Sequence, residues 1–315
     1  SAVLSVSGAV AETSVNEQIG PQAFIAPLAS KSLLLDIDKD ASKIVVVGER
    51  GHILLSENGE DWTQKSVPTQ AVLNGVFIAE DSIWAVGHDA VIIGSQDGGE
   101  SWEVKQFIPK LERPLMDVHF KDQQNGIAIG AYGVFFRTVD GGQTWVREYH
   151  SSFLHPDDRE YVESLKEEDP DFYREEMSSI LPHLNRLSYS TGRLFVAGET
   201  GLVAYSDDYG KQWNRVETGY YGSFFDIQTL HNGSVIAGGL RGSVYRSDAS
   251  MSNWQRVETN TTSTFNTIVA LDDKNTLLIG NNGTQLWMSE DGVSLQQTED
   301  GKALVAATVF NNKLI

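Results

Sequence analysis

The chain contains no cysteine, which excludes disulfides, thiolate zinc sites and cysteine catalysis. Proline is scarce, 8 residues beside 29 glycines, 7 tryptophans and 10 tyrosines, a balance that points to many short strands joined by tight turns. Apart from its first residues the chain holds no apolar run of about 18 residues, so no membrane span is expected. Positive charge is also short: 24 Lys and Arg stand against 43 Asp and Glu, a net charge of −19. Phosphate-rich partners would be repelled, so neither nucleic acid nor an anionic membrane surface is an expected ligand. The seven histidines are scattered without H-x-x-x-H or H-E-x-x-H spacing, and no G-x-S-x-G elbow occurs. No metal, no cofactor and no catalytic residue is assigned. What is present is 40% hydrophobic residues in 315, ample for a core, and a length that suits either two average domains or one large all-β fold.

The chain begins at Ser1 with the small, apolar stretch Ala2-Val3-Leu4-Ser5-Val6-Ser7-Gly8. Ala9-Val10-Ala11 supplies an A-x-A pattern before the polar Glu12-Thr13-Ser14. Residues 1–11 read as the remnant of a secretory signal peptide, with a frayed apolar terminus as the alternative. Export would place the protein in the periplasm or an equivalent compartment.

A repeat organises the rest. Trp62, Trp102, Trp145, Trp213 and Trp254, continued by Leu295, are separated by 40, 43, 68, 41 and 41 residues. A period near forty marks a propeller-like array, and the long step holds one insertion. Three features recur in phase. Ahead of each position lies a turn, fullest in Ser95-Gln-Asp97-Gly98-Gly99-Glu-Ser101-Trp102 and in Thr138-Val-Asp140-Gly141-Gly142-Gln-Thr144-Trp145. Weaker copies are Ser206 to Trp213 with Asp208 and Gly210, Ser56 to Trp62 with Asn58, and Ser289 to Leu295 with Asp291. Hydroxyl and carboxylate groups here bond nearby backbone N–H groups, glycine accepts positive φ, and the indole packs back over the turn. Fourteen to sixteen residues earlier a glycine closes an apolar run, as in Val45-Val46-Val47-Gly48. Earlier still an apolar stretch carries one Asp or Asn: Asp36, Asn74, Asp117, Asn185, Asp226 and Asn266.

Each unit thus holds four short strands, a to d, and the predicted fold is all-β: a β-propeller of four-stranded antiparallel blades. Six repeats run from about Lys31 to Glu299, and Leu304 to Val309 opens a seventh. The expectation is a seven-bladed ring spanning residues 15–315, its last blade closed by both termini, with Gln22 to Leu28 as the outer strand; six blades with loose termini is the alternative. The third strand of that blade is missing from the sequence.

Residues 150–183 break the pattern. Pro156 to Glu168 reads as a helix, Asp169-Pro170-Asp171 interrupts it, and Phe172 to Leu181 forms a second. Val162, Leu165, Phe172, Met177, Ile180 and Leu181 are expected to cover a propeller face. From Asp157 to Glu176 there are ten acidic and three basic residues. The insertion is either a solvated cap or a partner-binding element. It is a d–a link, so it shares its face with the b–c turns. Candidate partner-binding residues on that face are Arg50, His88, Tyr132, Arg186, Tyr221 and Arg241, since Arg and Tyr commonly anchor interfaces. The turn aspartates sit one per blade on outer c–d turns and cannot converge on one substrate, so their role is read as structural. The Asp/Asn series of the a strands would line the central channel or bond neighbouring backbone.

The turn motif resembles the Asp-box, or bacterial neuraminidase repeat, of sialidases and other propellers. The sialidase Phe/Tyr-Arg-Ile-Pro signature is absent. The sequence is more similar to the photosystem II stability/assembly factor family, through Leu115-Met-Asp117-Val118, Gly130-Ala-Tyr-Gly133, Thr138 to Trp145, Asn185-Arg186-Leu187 and Gly198-Glu-Thr-Gly201. The likeness covers about residues 31–300. It implies an exported, non-enzymatic scaffold or assembly factor that binds a membrane or envelope protein. A sialidase-like glycoside hydrolase and a glycan- or small-ligand-binding propeller are the alternatives.

Overall fold

Strands that are apolar along their length need cover on both faces, and the second strand of each repeat meets that condition apart from a polar first residue in three of them. Ile44–Gly48, Gly126–Gly130, Val235–Gly239 and Thr276–Gly280 are buried at every position. In the computed structural model, which describes residues 21–272 and 274–315, each lies second in a four-stranded antiparallel sheet. The six sheets, blades 1 to 6, span residues 34–65, 73–106, 115–147, 184–216, 224–256 and 265–297. Innermost strands of successive blades contact one another in chain order, which arranges the sheets radially. Alternation along each strand feeds both neighbours. Val45 and Val47 of blade 1 pack with Val76, Ile83 and Trp102 of blade 2, while Val46 and Leu54 face the other way. Trp84 of blade 2 stacks on Phe120 of blade 3 with centroids 4.7 Å apart. Burying each such side chain contributes about 1.5–3 kcal/mol, so the ring holds through its inter-blade contacts.

The rim turns are built as tight hydrogen-bonded loops. In blade 3, Thr138 Oγ1 accepts the Gly142 N–H at 2.9 Å and donates to Asp140 at 2.7 Å. Asp140 in turn accepts the Thr144 N–H at 3.0 Å and its hydroxyl at 2.6 Å. Ser95 and Asp97 in blade 2, Ser206 and Asp208 in blade 4, and Ser56 and Asn58 in blade 1 make comparable sets. Gly142 has φ +77°, and a Cβ there would lie 2.1 Å from the Trp84 ring of the preceding blade. The sixth copy departs from the expectation: Ser289 pairs directly with Gly292 across a two-residue hairpin, and Asp291 only donates its N–H to Ser289 Oγ.

Residues 304–315 lie between blade 6 and blade 1. Leu304, Ala307 and Val309 cover Val269, Leu277 and Ile279 of blade 6, and Val309–Phe310 pairs with Lys313–Leu314. Lys39 and Glu60 of blade 1 reach the Val309 carbonyl and Lys313. Gln22 to Leu28, expected as an outer strand, forms no strand among the described residues. Ala23 donates to the Val67 carbonyl at 2.9 Å. The Gln64 amide takes the Ala26 N–H at 2.7 Å and donates to the Phe24 carbonyl at 2.8 Å. With its backbone groups satisfied in this way the segment wraps blade 1. The leader expected over residues 1–11 lies outside the described residues.

The insertion folds as α1 (Pro156–Glu168) and α2 (Pro170–Ile180). The second helix starts two residues earlier than its pattern predicts. Pro170 fits its first turn, and Asp169 caps it by accepting the Phe172 N–H at 3.0 Å. Val162, Met177 and Leu181 join Phe135, Phe153, Leu184 and Trp213 in one buried cluster between blades 3 and 4. Leu165 and Ile180 are half-buried against it, whereas Phe172 remains 39% exposed. Among the described residues no helix is long and apolar enough to cross a membrane.

Candidate functional site: the insertion-bearing face and the channel beneath it

Each b–c connection is a three-residue turn whose middle residue is left-handed: Arg50, Asp89, Tyr132, Thr200, Arg241 and Asn282 have φ between 53° and 59°. Side chains larger than glycine rarely adopt this conformation, and here the turn imposes it six times. The position is exposed in all six blades. Arg50, Tyr132 and Arg241 therefore hold equivalent places in blades 1, 3 and 5. His88 is also exposed, one residue ahead of the left-handed Asp89. Tyr221 is 83% exposed in the link from blade 4 to blade 5. Its neighbour Tyr220 is anchored, donating to the Leu240 carbonyl at 3.3 Å.

Around Tyr132 the face is most developed. Arg113 lies over the Tyr132 ring at 5.0 Å, and His183 meets it edge-on at 4.4 Å. α2 packs on the same turn, where a Cβ on Gly133 would meet Leu181 at 2.4 Å. The insertion, the turn and two basic side chains are thus one packed unit. An aromatic ring with a guanidinium on its face offers a partner apolar area, charge and hydrogen-bond donors together.

Arg186 was expected on that face. It lies instead in the central channel, because the inner strands do not run regularly. In every blade one residue bulges out after the first pair: Leu34 opposes Gly48 and Asp36 opposes Val47, so Leu35 is skipped. Asn74, Met116, Asn185, Phe225 and Asn266 are skipped in the same way. The residue after the bulge points into the channel, which gives Asp36, Gly75, Asp117, Arg186, Asp226 and Thr267, all lining a cavity of about 440 Å³ except the side-chainless Gly75. The series Asp36, Asn74, Asp117, Asn185, Asp226, Asn266 is therefore two registers, not one ring.

The two registers alternate in what they hold. Asp36 accepts the N–H of Val76 in the next blade at 2.9 Å, Asp117 that of Leu187 at 2.7 Å, and Asp226 that of Ile268 at 2.6 Å. Asn74 donates to the carbonyl of Leu115 at 2.8 Å, Asn185 to Phe224 at 2.7 Å, and Asn266 to Leu304 at 2.9 Å. Six successive junctions thus carry at least one side-chain-to-backbone clip each, and Asp38 to Ile78 and Thr267 to Val305 add a second at two of them. Arg186 then spans the channel, meeting Asp36 at 3.0 and 3.3 Å, Asp117 at 3.6 Å and Asp226 at 3.8 Å. Burial dominates the titration of Asp117 and Asp226. It pushes Asp117 up to about 7 and Asp226 up to about 6, with Arg186 pulling back in both cases. The carboxylates in turn hold the Arg186 guanidinium more firmly charged than usual, against the opposing effect of burial. Two residues further along the same inner strands, burial pushes Asp38 up to about 7 and His119 down to about 4, so the imidazole is neutral near pH 7. Among the described residues no group of three or more His, Asp or Glu is arranged to hold a metal ion.

Radial four-stranded blades with hydroxyl–Asp–Gly turns at the rim define a β-propeller of the Asp-box type. The chain belongs to the family described as photosynthesis system II assembly factor YCF48, whose profile matches residues 105–292. Photosystem II assembly protein Ycf48 of a Synechococcus strain is 25% identical over 87 residues, 26% of each chain. The chloroplastic photosystem II stability/assembly factor HCF136 of Oryza sativa is 24% identical over 134 residues, 39% of this chain and 32% of that one. The matches span no more than about a third of these relatives. Among solved structures, YCF48 bound to D1 peptide superposes with a TM-score of 0.63 at 17% identity, covering 89% of this chain and 86% of that one. YCF48 from Cyanidioschyzon merolae gives 0.64 at 16% identity, covering 89% of both. The WD40 propeller of Doa1 gives 0.60 at 12%, covering 95% of this chain and 92% of that one, so these likenesses speak for the fold alone.

Proposed function

We propose that this protein is an exported, non-enzymatic propeller that binds a membrane-protein partner during assembly of a membrane complex. Binding uses the face carrying α1, α2 and the left-handed b–c turns. The observation that carries the reading is the family match over more than half the chain, and a family relative bound to a D1 peptide supports it. Tyr132, braced by Arg113 and His183, is the anchor, flanked by Arg50, His88, Tyr221 and Arg241. In this reading residues 304–315 are the inner half of a seventh blade in one propeller domain, and residues 1–11 are what remains of an export signal. A scaffold is favoured over a hydrolase because Asp36, Asp117 and Asp226 are each engaged by a backbone N–H and by Arg186. None of the three is left as a free nucleophile facing an open cleft.

The test is affinity capture from detergent-solubilised membranes with wild type, Tyr132→Ser and the rim control Val139→Ser, Val139 being 66% exposed. An integral membrane protein retained by wild type and V139S but lost by Y132S is expected. Equal retention by all three would overturn the face assignment. Turnover of an aryl glycoside, abolished by Asp226→Asn, would overturn the scaffold reading.

A further inference from the structure

The channel holds more negative charge than its own cations neutralise. Four carboxylates line it, Asp36, Asp38, Asp117 and Asp226, against the one guanidinium of Arg186. Asp36, Asp117 and Asp226 are between 1% and 4% exposed, so water screens them poorly and mutual repulsion is strong. No other group facing them supplies the deficit. Blade 1 contributes Lys39, but its ammonium is turned to the Val309 carbonyl. Blade 2 contributes Val76 and Phe77, and blade 3 adds His119, which donates no charge near pH 7. Blade 4 adds Ser188 and Tyr189 beside Arg186, blade 5 adds Gln228, and blade 6 and residues 306–309 bring no ionisable side chain.

We propose that the channel is a proton-operated clasp: near neutral pH it takes up protons onto Asp117, Asp38 and Asp226, and this uptake, shared by blades 1, 3, 4 and 5 through Arg186, tightens the inner ring beneath the insertion-bearing face. Losing those protons at alkaline pH leaves the carboxylates opposing one another around one arginine and loosens the clips that join the blades. The direction follows from linkage. A carboxyl that titrates higher in the folded state than in the unfolded chain takes up a proton on folding between those two values. Its contribution to stability is therefore complete in acid and is lost as pH rises through the folded value. For Asp117 and Asp38 that value is about 7 and for Asp226 about 6, so the loss runs from about pH 4, where the unfolded carboxyls ionise, to about pH 7.

The test needs no substitution to begin. In uniformly ¹³C-labelled wild type, side-chain carboxyl resonances followed from pH 4 to 9 should include at least one aspartate with a midpoint above pH 5.5. The thermal midpoint should fall as pH rises from about 4 to about 7 and level off by about 8.5, and folding at pH 6 should take up about two protons per molecule. Asp117→Asn should flatten that thermal profile and remove a high-pH resonance. If this variant fails to fold, the wild-type titration decides alone. Aspartates that all titrate below pH 5, or a thermal midpoint level or rising from about pH 4 to about 7, would overturn the proposal. So would stabilisation at pH 8 by added potassium, calcium or ammonium with no carboxyl titrating above pH 5, because a bound cation would then replace the protons.

Discussion

Aspartates recur in this molecule in two settings, and the settings reverse their behaviour. At the rim, Asp97, Asp140 and Asp208 stand in water and accept hydrogen bonds from the turn they organise, so hydrogen bonding keeps each below the ordinary carboxylate range. At the hub, Asp117 and Asp226 also accept backbone N–H groups, yet burial prevails and pushes them up. The rim residue pins one loop within one blade. The hub residue joins two blades and shares one arginine with two others. The same side chain is a local cap in one place and a long-range tie in the other, and solvent access decides which.

The largest break in this comparison is expected at Arg186. Arg186→Met leaves three buried carboxylates without their cation and should cost about 3–5 kcal/mol at pH 8, read as a lower urea midpoint. At pH 5, where hub carboxyls hold protons, the same variant should lose less. A rim substitution should be milder: Thr138→Val removes the acceptor for Gly142 and the donor to Asp140, at about 1–2 kcal/mol, by the same denaturation. Acid separates the regions further. Rim carboxylates contribute stability above their unfolded value that is lost as pH falls through the folded one. Wild type should therefore lose stability below about pH 4 while the hub contributes fully there, and Asp97→Asn should make the acid limb shallower. The smallest effect is expected on the outer face. Arg241→Ala should change stability by less than about 0.5 kcal/mol and yet weaken capture of the membrane partner.

Much of the architecture was legible in the sequence, because most blades repeat what they need: an apolar strand closed by glycine, a hydroxyl–Asp–Gly turn and, about every forty residues, an indole. The hub was half legible. Asp and Asn were visible in phase, but their spacing from the start of the strand also carries meaning. Asn follows the first apolar residue directly, as in Leu73-Asn74 and Leu184-Asn185, whereas Asp comes one later, as in Leu34-Leu35-Asp36 and Leu115-Met116-Asp117. Reading that offset separates the bulged register from the channel register and places Arg186, the residue after Asn185, in the channel. Partners across the ring could not be read this way, since Arg186 and Asp36 are 150 residues apart and only ring closure brings them together. The wrapping of residues 22–28 around blade 1 was hidden for a related reason: it depends on the side chain of Gln64, a residue outside the repeated motifs.

Hydrogen–deuterium exchange on the captured complex, compared with free protein, tests most directly the division between a binding face and a structural rim. Protection is expected at residues 48–51, 130–133 and 239–242 and along 156–180, with the rim turns at 95–102 and 138–145 unchanged. Protection confined to those rim turns, with the insertion and the left-handed turns exchanging as in the free protein, would contradict it.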